Sequence, residues 1–231
     1  VGENDLQYRI DNLTSIFYLD INIIKVLINS LIISILTGIF VSVFGLILST
    51  LLVLNHKNFF LQQALFLFSS SIILISPIIF SLGYFILIQE LRYIIFFKYL
   101  IIIIINCILL IPFLLLILFN NLKNIYLTYE EVKKSFRINL FDYLKILFPL
   151  IKSNFLYVFS FSTVLTFGDF TIISFFRDQN FETLPSYLYK LISVYRFEEA
   201  TFVAGLMLIV CMIIYFIIDN FNYNGRPVIK T

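Results

Sequence analysis

The chain has 231 residues, of which 61% are apolar and only 13% charged, and its mean hydropathy is +1.00. A soluble domain carries about 25% charged residues, so the composition excludes a water-soluble globule and, equally, an intrinsically disordered chain. The net charge of +2 is too small to indicate nucleic-acid binding. The two cysteines lie inside apolar runs and indicate neither a disulfide framework nor a metal site. The composition predicts an all-α integral membrane protein.

Five apolar stretches are candidates for transmembrane helices, which need roughly 20 residues to cross the bilayer. They cover about 27–54, 64–88, 99–119, 154–176 and 203–218. Pro77 and Pro112 interrupt the second and third stretches, where we expect kinks. The sequence therefore predicts one transmembrane domain of five helices over residues 1–231.

The longest polar connection, 120–153, is also the most basic part of the chain. Its cationic residues are Lys123, Lys133, Lys134, Arg137, Lys145 and Lys152. Basic connections stay preferentially on the cytoplasmic side of a membrane. With five spans, the N-terminus is then outside and the C-terminus is cytoplasmic.

Small residues recur at every fourth position of the first span and then continue towards its end. They are Ser30, Ser34, Gly38, Ser42, Gly45 and Ser49. Such a stripe allows helices to approach closely where lipid supplies no hydrophobic drive. The spacing favours a packing surface over the alternative, the lining of a pore.

The basic connection also carries signals for a pair of short amphipathic helices. Thr128 with Glu131 has the form of a capping box, and Val132, Phe136 and Leu140 follow at four-residue spacing. Asn139 can cap a second helix that runs towards Pro149. The pair is either a surface anchor on lipid headgroups or a docking element for a protein.

The fourth predicted span contains a charge, Asp169, within Gly168-Asp169-Phe170. A charge at the centre of a span costs at least about 2.5 kcal/mol and points to a function by default. Ser162 and Thr166 lie seven and three residues earlier, so a continuous helix would place all three on one polar stripe. The stripe either lines a solute path or gate, or bonds to neighbouring helices.

The outer connection 177–202 predicts a further helix with an apolar face. Thr183 can cap it, and Pro185 needs no backbone donor in the first turn. Leu184, Leu188, Leu191 and Tyr195 would share the apolar face. The tyrosines and neighbouring cation that suit headgroup depth are Tyr187, Tyr189, Tyr195 and Arg196. The helix is either an interfacial anchor or a lid or docking surface.

Several chemical motifs are absent from the sequence. There is no GxxxxGK[ST] phosphate loop, no HExxH and no GxSxG, and the one histidine is His56. We therefore expect no enzyme, no ATPase site within this chain, and no resident metal or other cofactor.

The order of these features resembles the membrane subunits of binding-protein-dependent ABC importers. Their docking loop has an E-A-A pattern, then glycine, then a hydrophobic residue before proline. Glu131-Val132-Lys133 resembles its first part and Phe148-Pro149 its end, while Arg137 stands in the glycine place. The resemblance implies that this loop couples the chain to an ATPase. The residues assigned to coupling are Glu130, Glu131, Val132, Lys133, Lys134, Phe136, Arg137, Asn139 and Pro149.

A closer resemblance, to the C-terminal half of thiamine importer permeases, covers nearly the whole chain. Gly168-Asp169-Phe170, the run Phe181 to Tyr189 and the run Ser193 to Arg196 carry it. It implies a MetI-like permease bundle, the second half of a longer two-half permease without its first span, in a bacterial inner membrane. It further implies alternating access driven by ATP on a partner dimer, a second permease half, and a periplasmic substrate-binding protein. Two alternatives stay open: a permease for ferric iron or another small solute, and a non-transporting scaffold.

Overall fold

The computed structural model describes residues 21–54, 74–87, 95–136, 140–177 and 181–223, with a few further positions between 60 and 72. The helices in these ranges are α1 (Ile21–Leu54), α2 (Pro77–Leu87), α3 (Ile95–Phe136), α4 (Leu140–Phe167), α5 (Ile173–Phe176), α6 (Leu184–Ser193) and α7 (Phe197–Tyr223). The described residues are almost entirely helical, which confirms the predicted all-α class.

Two of the described helices are long and apolar enough to cross a membrane: Ile23–Val53 within α1 and Phe197–Ile218 within α7. A third span exists if the two arms of α3, Phe96–Pro112 and Ile117–Tyr126, are counted together. The arms are bent by 55°, directly after Pro112, which has no amide hydrogen to donate. The predicted kink at Pro112 is confirmed, and the count of five spans stays a prediction.

Pro77 interrupts the helical backbone as predicted, and the interruption is a two-residue break at 75–76 after helical positions 71, 72 and 74. Pro77 is the first residue of α2, and Ser76 before it is not helical. Proline is favoured at the first helical position because its missing N–H would have no partner there. The later part of the predicted span 64–88 is α2, and the described positions 64, 67, 71, 72 and 74 before it are also helical.

The basic connection differs from the expected pair of short helices. Thr128 does not begin a helix, because α3 continues through it to Phe136, and only three residues separate the end of α3 from the start of α4. Residues 120–128 contain no Gly or Pro, and a cap contributes only about 1 kcal/mol. Continued backbone hydrogen bonding therefore outweighs the cap signal.

The predicted coupling residues fall partly outside the structural description. Arg137 and Asn139 lie outside the described residues, while Glu130 and Pro149 lie on the helical backbones of α3 and α4. The other predicted coupling residues on α3 are Glu131, Val132, Lys133, Lys134 and Phe136. Their backbone is helical and their assignment to coupling stays a prediction.

The bundle is built around α1, against which α3 and α4 pack. The Tyr99 hydroxyl on α3 bonds Asn29 near the start of α1, and Leu118 further along α3 approaches Gly45, so α1 and α3 run parallel. Phe159 on α4 lies beside Gly38 of α1. Because Ile151 clusters with the end of α1 and Phe167 with its beginning, α4 runs antiparallel to α1.

The small-residue stripe of α1 is buried along its whole length, which confirms the expected packing surface. The serine hydroxyls donate to carbonyls of their own helix, as in the bond from Ser34 to Leu31 O at 3.1 Å. Ser30, Ser42 and Ser49 make the same kind of bond. The hydroxyls are therefore satisfied without water, and the stripe packs against protein.

Replacing Gly38 with Ala should destabilise the fold. The added methyl group would overlap Thr163 Oγ1 and press on the Phe159 ring at 3.1 Å. Overpacking of this kind costs about 1–3 kcal/mol. The free energy of unfolding in detergent, followed by circular dichroism, should fall by that amount. A Gly38→Ala/Thr163→Ala double variant should recover most of the loss.

Gly205→Ala is the matched control, because its added methyl group meets no atom within 4 Å. Alanine is the better helix former by roughly 1 kcal/mol, so this variant should lose no stability. An equal loss in the two single variants would contradict a close helix crossing at Gly38.

Candidate functional site

The helix that contains the predicted polar stripe ends before Asp169. α4 stops at Phe167, and residues 168–172 form a turn that leads into α5. The Asp169 N–H donates to the Thr166 carbonyl at 3.2 Å, which tightens the final turn of α4. The prediction of one continuous helix over 154–176 is therefore wrong, and the reason is local: this turn finds its hydrogen bonds without continuing the helix.

Asp169 supplies those hydrogen bonds. Its two carboxylate oxygens accept the backbone N–H groups of Thr171 at 2.9 Å and Ile172 at 3.3 Å. These bonds to the second and third residues after Asp169 form an Asx turn, which satisfies amides as an N-cap does, although Ile172 is the residue directly before α5. The Ser174 N–H then donates to the Phe170 carbonyl at 2.9 Å as α5 begins. In this structure, the carboxylate holds the break between α4 and α5.

Ser162 and Thr166 lie on α4, and the break separates them from Asp169. Both side chains are buried. The Ser162 hydroxyl donates to the Val158 carbonyl at 2.8 Å, so its hydrogen bond stays within the helix. Thr166 Oγ1 has no hydrogen-bond partner within the described part of the chain. The three residues do not share one helical stripe, and their assignment to a solute path or gate stays a prediction.

The start of α6 agrees with the sequence prediction. Thr183 is the N-cap residue, and Pro185 stands in the first turn. The Thr183 N–H donates to Ser186 Oγ at 2.8 Å, and the Tyr187 N–H closes the first turn on the Thr183 carbonyl at 2.8 Å. Ser186 thus has the role that glutamate has in the common capping box.

The apolar face of α6 lies inside the bundle, which sequence reasoning did not anticipate. Leu184, Tyr187 and Leu191 are buried in a cluster with residues of α1, α4 and α7. The outward side carries Tyr189, which is 48% exposed. An apolar stripe at helical spacing suits lipid and protein equally, so its partner could not be read from the spacing.

Tyr195 does not belong to the apolar face of α6, contrary to the prediction. The helix ends at Ser193, and Tyr195 has φ of 60° in the turn that follows. The Arg196 N–H donates to the Leu191 carbonyl at 3.0 Å and the Tyr195 N–H to the Ile192 carbonyl at 3.1 Å. These two bonds form a Schellman turn, which directs the chain into α7.

An aromatic and cationic contact joins the break to α6. The Phe170 and Tyr189 rings stack with centroids 4.8 Å apart. The Arg177 guanidinium carbon lies 5.6 Å from the centroid of the Tyr189 ring, a cation–π contact. The residues of the Gly-Asp-Phe element and of the Tyr-Leu-Tyr run therefore meet in space.

A network of hydrogen bonds centred on Asn29 fixes the chain before α6. Asn29 is buried on α1; its amide nitrogen donates to the Glu182 carbonyl at 3.0 Å, and its oxygen accepts the Tyr99 hydroxyl at 2.6 Å. Next to it, Ser30 Oγ accepts the Leu184 N–H at 2.7 Å. We call these contacts the Asn29 network; it joins α1, α3 and the start of α6.

Neither Asn29 nor Tyr99 was predicted as a functional residue. The single local signal was a polar amide inside an apolar run, which is expensive to bury without partners. Tyr99 also packs edge-on against Phe181, with ring centroids 5.0 Å apart. The segment before α6 is thus held by hydrogen bonds and by a buried ring.

The side chains at this end of the bundle hold the backbone in place and present an aromatic surface. No group of three or more His, Cys, Asp or Glu side chains able to hold a metal occurs among the described residues. Asp169 satisfies the backbone at the helix break, Phe170 and Tyr189 stack beside Arg177, and hydrogen bonds hold the segment before α6. These elements position the chain between α4 and α7.

Comparison with known proteins finds three curated relatives, each described as thiamine transport system permease protein ThiP. The Escherichia coli protein is 29% identical over 116 residues and the Salmonella typhimurium protein 31% over 116, each covering 50% of this chain. The Haemophilus influenzae protein is 29% identical over 153 residues, 65% of this chain.

The aligned part is 22–28% of the length of these relatives. No family model matches the chain. The three similarities show a relationship to thiamine permeases of ABC transporters, as the residues after Gly168 had indicated.

Asp169→Ala and Asp169→Asn should separate the capping function of the carboxylate from its charge. Asparagine caps about as well as aspartate, whereas alanine costs about 0.5–2 kcal/mol. The free energy of unfolding should therefore fall in the alanine variant and stay near the parent value in the asparagine variant. Equal losses in both variants would show that the charge, and not the cap, stabilises the break.

Asn29→Ala and Tyr99→Phe should be energetically coupled. Each change leaves a polar partner unbonded, at about 1–3 kcal/mol, and the double variant should lose less than the sum of both. A coupling of about 0.5–3 kcal/mol is typical of residues in one hydrogen-bond network. Strictly additive losses in a double-mutant cycle would rule the network out.

Thr50→Ala is the control for this cycle. Its exposed hydroxyl donates only to a carbonyl of α1 itself, Ile47 O at 2.8 Å. Surface changes of this kind stay within about 0.5 kcal/mol, and the variant should show no coupling to Tyr99→Phe.

Proposed function

From its relationship to thiamine permeases, we propose that the chain is part of the membrane-spanning permease of an ATP-driven importer that moves thiamine or a related small solute. The observation that carries this proposal is the 29–31% identity to three thiamine permeases over half or more of the chain. The span-length apolar helices of the bundle support a multi-pass membrane protein. The membrane we propose is the bacterial inner membrane.

A permease of this kind works with other subunits. The proposed partners are a dimer of ATP-binding subunits, a second permease half and a periplasmic substrate-binding protein. ATP would be bound and hydrolysed on the partner subunits. The proposed orientation has the N-terminus outside and the C-terminus in the cytoplasm, as the basic residues of the 120–153 connection favour.

The two ends of the bundle suit a division between coupling and gating. Leu122 and Ile151 pack together with Val53, at the end of α1. Phe167 packs with Val26, at the start of α1, and the break and α6 lie at this second end. The proposed coupling segment between α3 and α4 is therefore at the opposite end from Asp169 and α6, which supports a signal that passes through the bundle.

For Asp169, we propose a gating or positioning function and no substrate selectivity. Its oxygens already accept two backbone N–H groups, so the carboxylate organises the break between α4 and α5. A change in that break would move α5 relative to α4. Alternating access in this proposal means that ATP-driven closure at the coupling end opens the bundle at the end that holds the break.

Uptake of labelled thiamine tests the proposed function directly. Cells that lack the full-length gene should accumulate less thiamine than the parent, and the gene on a plasmid should restore accumulation. Labelled ferric iron is measured in the same strains. Loss of iron uptake with normal thiamine uptake would assign the permease to iron, and unchanged uptake of both would favour a non-transporting scaffold.

The Asp169 variants refine this test in the same cells. Asp169→Asn should retain most of the uptake and Asp169→Ala should lose it, since only the first keeps the cap. Membrane levels of both proteins are compared by immunoblot. Loss of uptake in Asp169→Asn at normal protein level would show that the charge is needed for transport.

A further inference from the structure

The turn between α6 and α7 exposes apolar side chains at one end of the bundle. Tyr195 is 81% exposed, and Val194 and Phe197 are each 56% exposed. Ile192, on the last turn of α6, is 44% exposed. We call these four residues the exposed apolar turn. It is separate from the apolar face of α6, which is buried in the bundle.

Tyr195 has a conformation that glycine would adopt at lower cost. A left-handed backbone costs roughly 1–2 kcal/mol in an L-residue with a side chain, and Tyr195 has φ of 60°. Its ring contacts Phe197 edge-on, with centroids 6.0 Å apart, and is otherwise largely outside the protein. Packing among the described residues therefore does not account for a large aromatic residue here, whereas a contact outside the chain would.

The two cations beside the turn are paired within the chain, and Glu198 next to Phe197 is an exposed anion. Arg196 Nε donates to the Glu199 carboxylate at 2.6 Å. Lys190 Nζ lies 2.8 Å from the Glu182 carboxylate. Because each cation has an anion beside it, Glu198 is the one further charge among the described residues of this surface, which otherwise consists of rings and aliphatic groups. Such a surface fits a partly apolar environment better than it fits a strongly charged protein partner.

The position of α7 gives the depth of the turn. The span in α7 begins at Phe197, and its first turn holds Glu198 and Glu199, which are costly within hydrocarbon. The apolar run after them, 202–218, rises about 26 Å, close to the thickness of the hydrocarbon core of about 30 Å. The core then begins one turn into α7, and the exposed apolar turn lies at the level of the lipid headgroups.

We propose that the exposed apolar turn is an interfacial anchor that inserts between phospholipid headgroups. Tyrosine is enriched at this depth because its ring is apolar and its hydroxyl is polar. The Schellman turn holds Tyr195 outward, and the anchor fixes the height of α6 and α7 in the bilayer. This inference depends on the membrane position of α7 and not on the transported solute.

A tryptophan placed in the turn can report its depth, because the chain contains no tryptophan. The full chain carrying Tyr195→Trp is reconstituted into phosphatidylcholine vesicles with bromine either near the headgroup or deep in the acyl chain. Leu208→Trp is the deep control; Leu208 is 68% exposed and lies about 17 Å further along α7 than Phe197. Circular dichroism checks that both variants keep the helical content of the parent.

Tyr195→Trp should lose roughly twofold more fluorescence with shallow than with deep bromine, and Leu208→Trp should show the opposite order. Quenching of Tyr195→Trp by aqueous acrylamide with no loss to either lipid would overturn the anchor and indicate a surface for a soluble partner. Stronger quenching by deep than by shallow bromine would also overturn it. Phe197→Trp is a second reporter should Tyr195→Trp fail to fold, with the same expected order.

Discussion

Backbone amides and carbonyls within a bilayer have no water to bond, so a membrane protein must satisfy them internally. Three interruptions in the described helices satisfy their backbone groups within the chain. The break after α4 is satisfied by the Asp169 carboxylate, the end of α6 by a Schellman turn at Tyr195, and its start by Ser186. Each change of chain direction depends on one side chain or one unusual dihedral angle.

The same constraint acts on the side chains of α1. Lipid is as apolar as leucine, so helices associate by close packing and by bonds between polar groups. The serines of α1 satisfy their hydroxyls within the helix, which leaves a smooth surface at Gly38 where α4 can approach. Asn29 has the opposite role, because its amide reaches outside the helix to α3 and to the start of α6.

Sequence reasoning succeeded where the cause was local and failed where it was not. The cap at Thr183 and the position of Pro185 follow from the chemistry of a few neighbouring residues, and the packing surface of α1 follows from a fixed period. The Asn29 network joins residues 70 and 153 positions apart, for which one sequence contains no signal. The capping signal at Thr128 gave a wrong helix start, because a cap there competes with the continued hydrogen bonding of α3.

Under the proposed function, the architecture indicates which parts can move. α1 is about 51 Å long if straight, contacts both α3 and α4 along its length, and is held at its start by the Asn29 network. Closely packed surfaces slide or rotate as units because deforming them costs packing energy. Motion should therefore concentrate where helical continuity is already lost: at the 55° bend after Pro112 and at the break capped by Asp169. A carboxylate in that position suits the proposed transporter, because it keeps two backbone amides of the break bonded where helical continuity is lost.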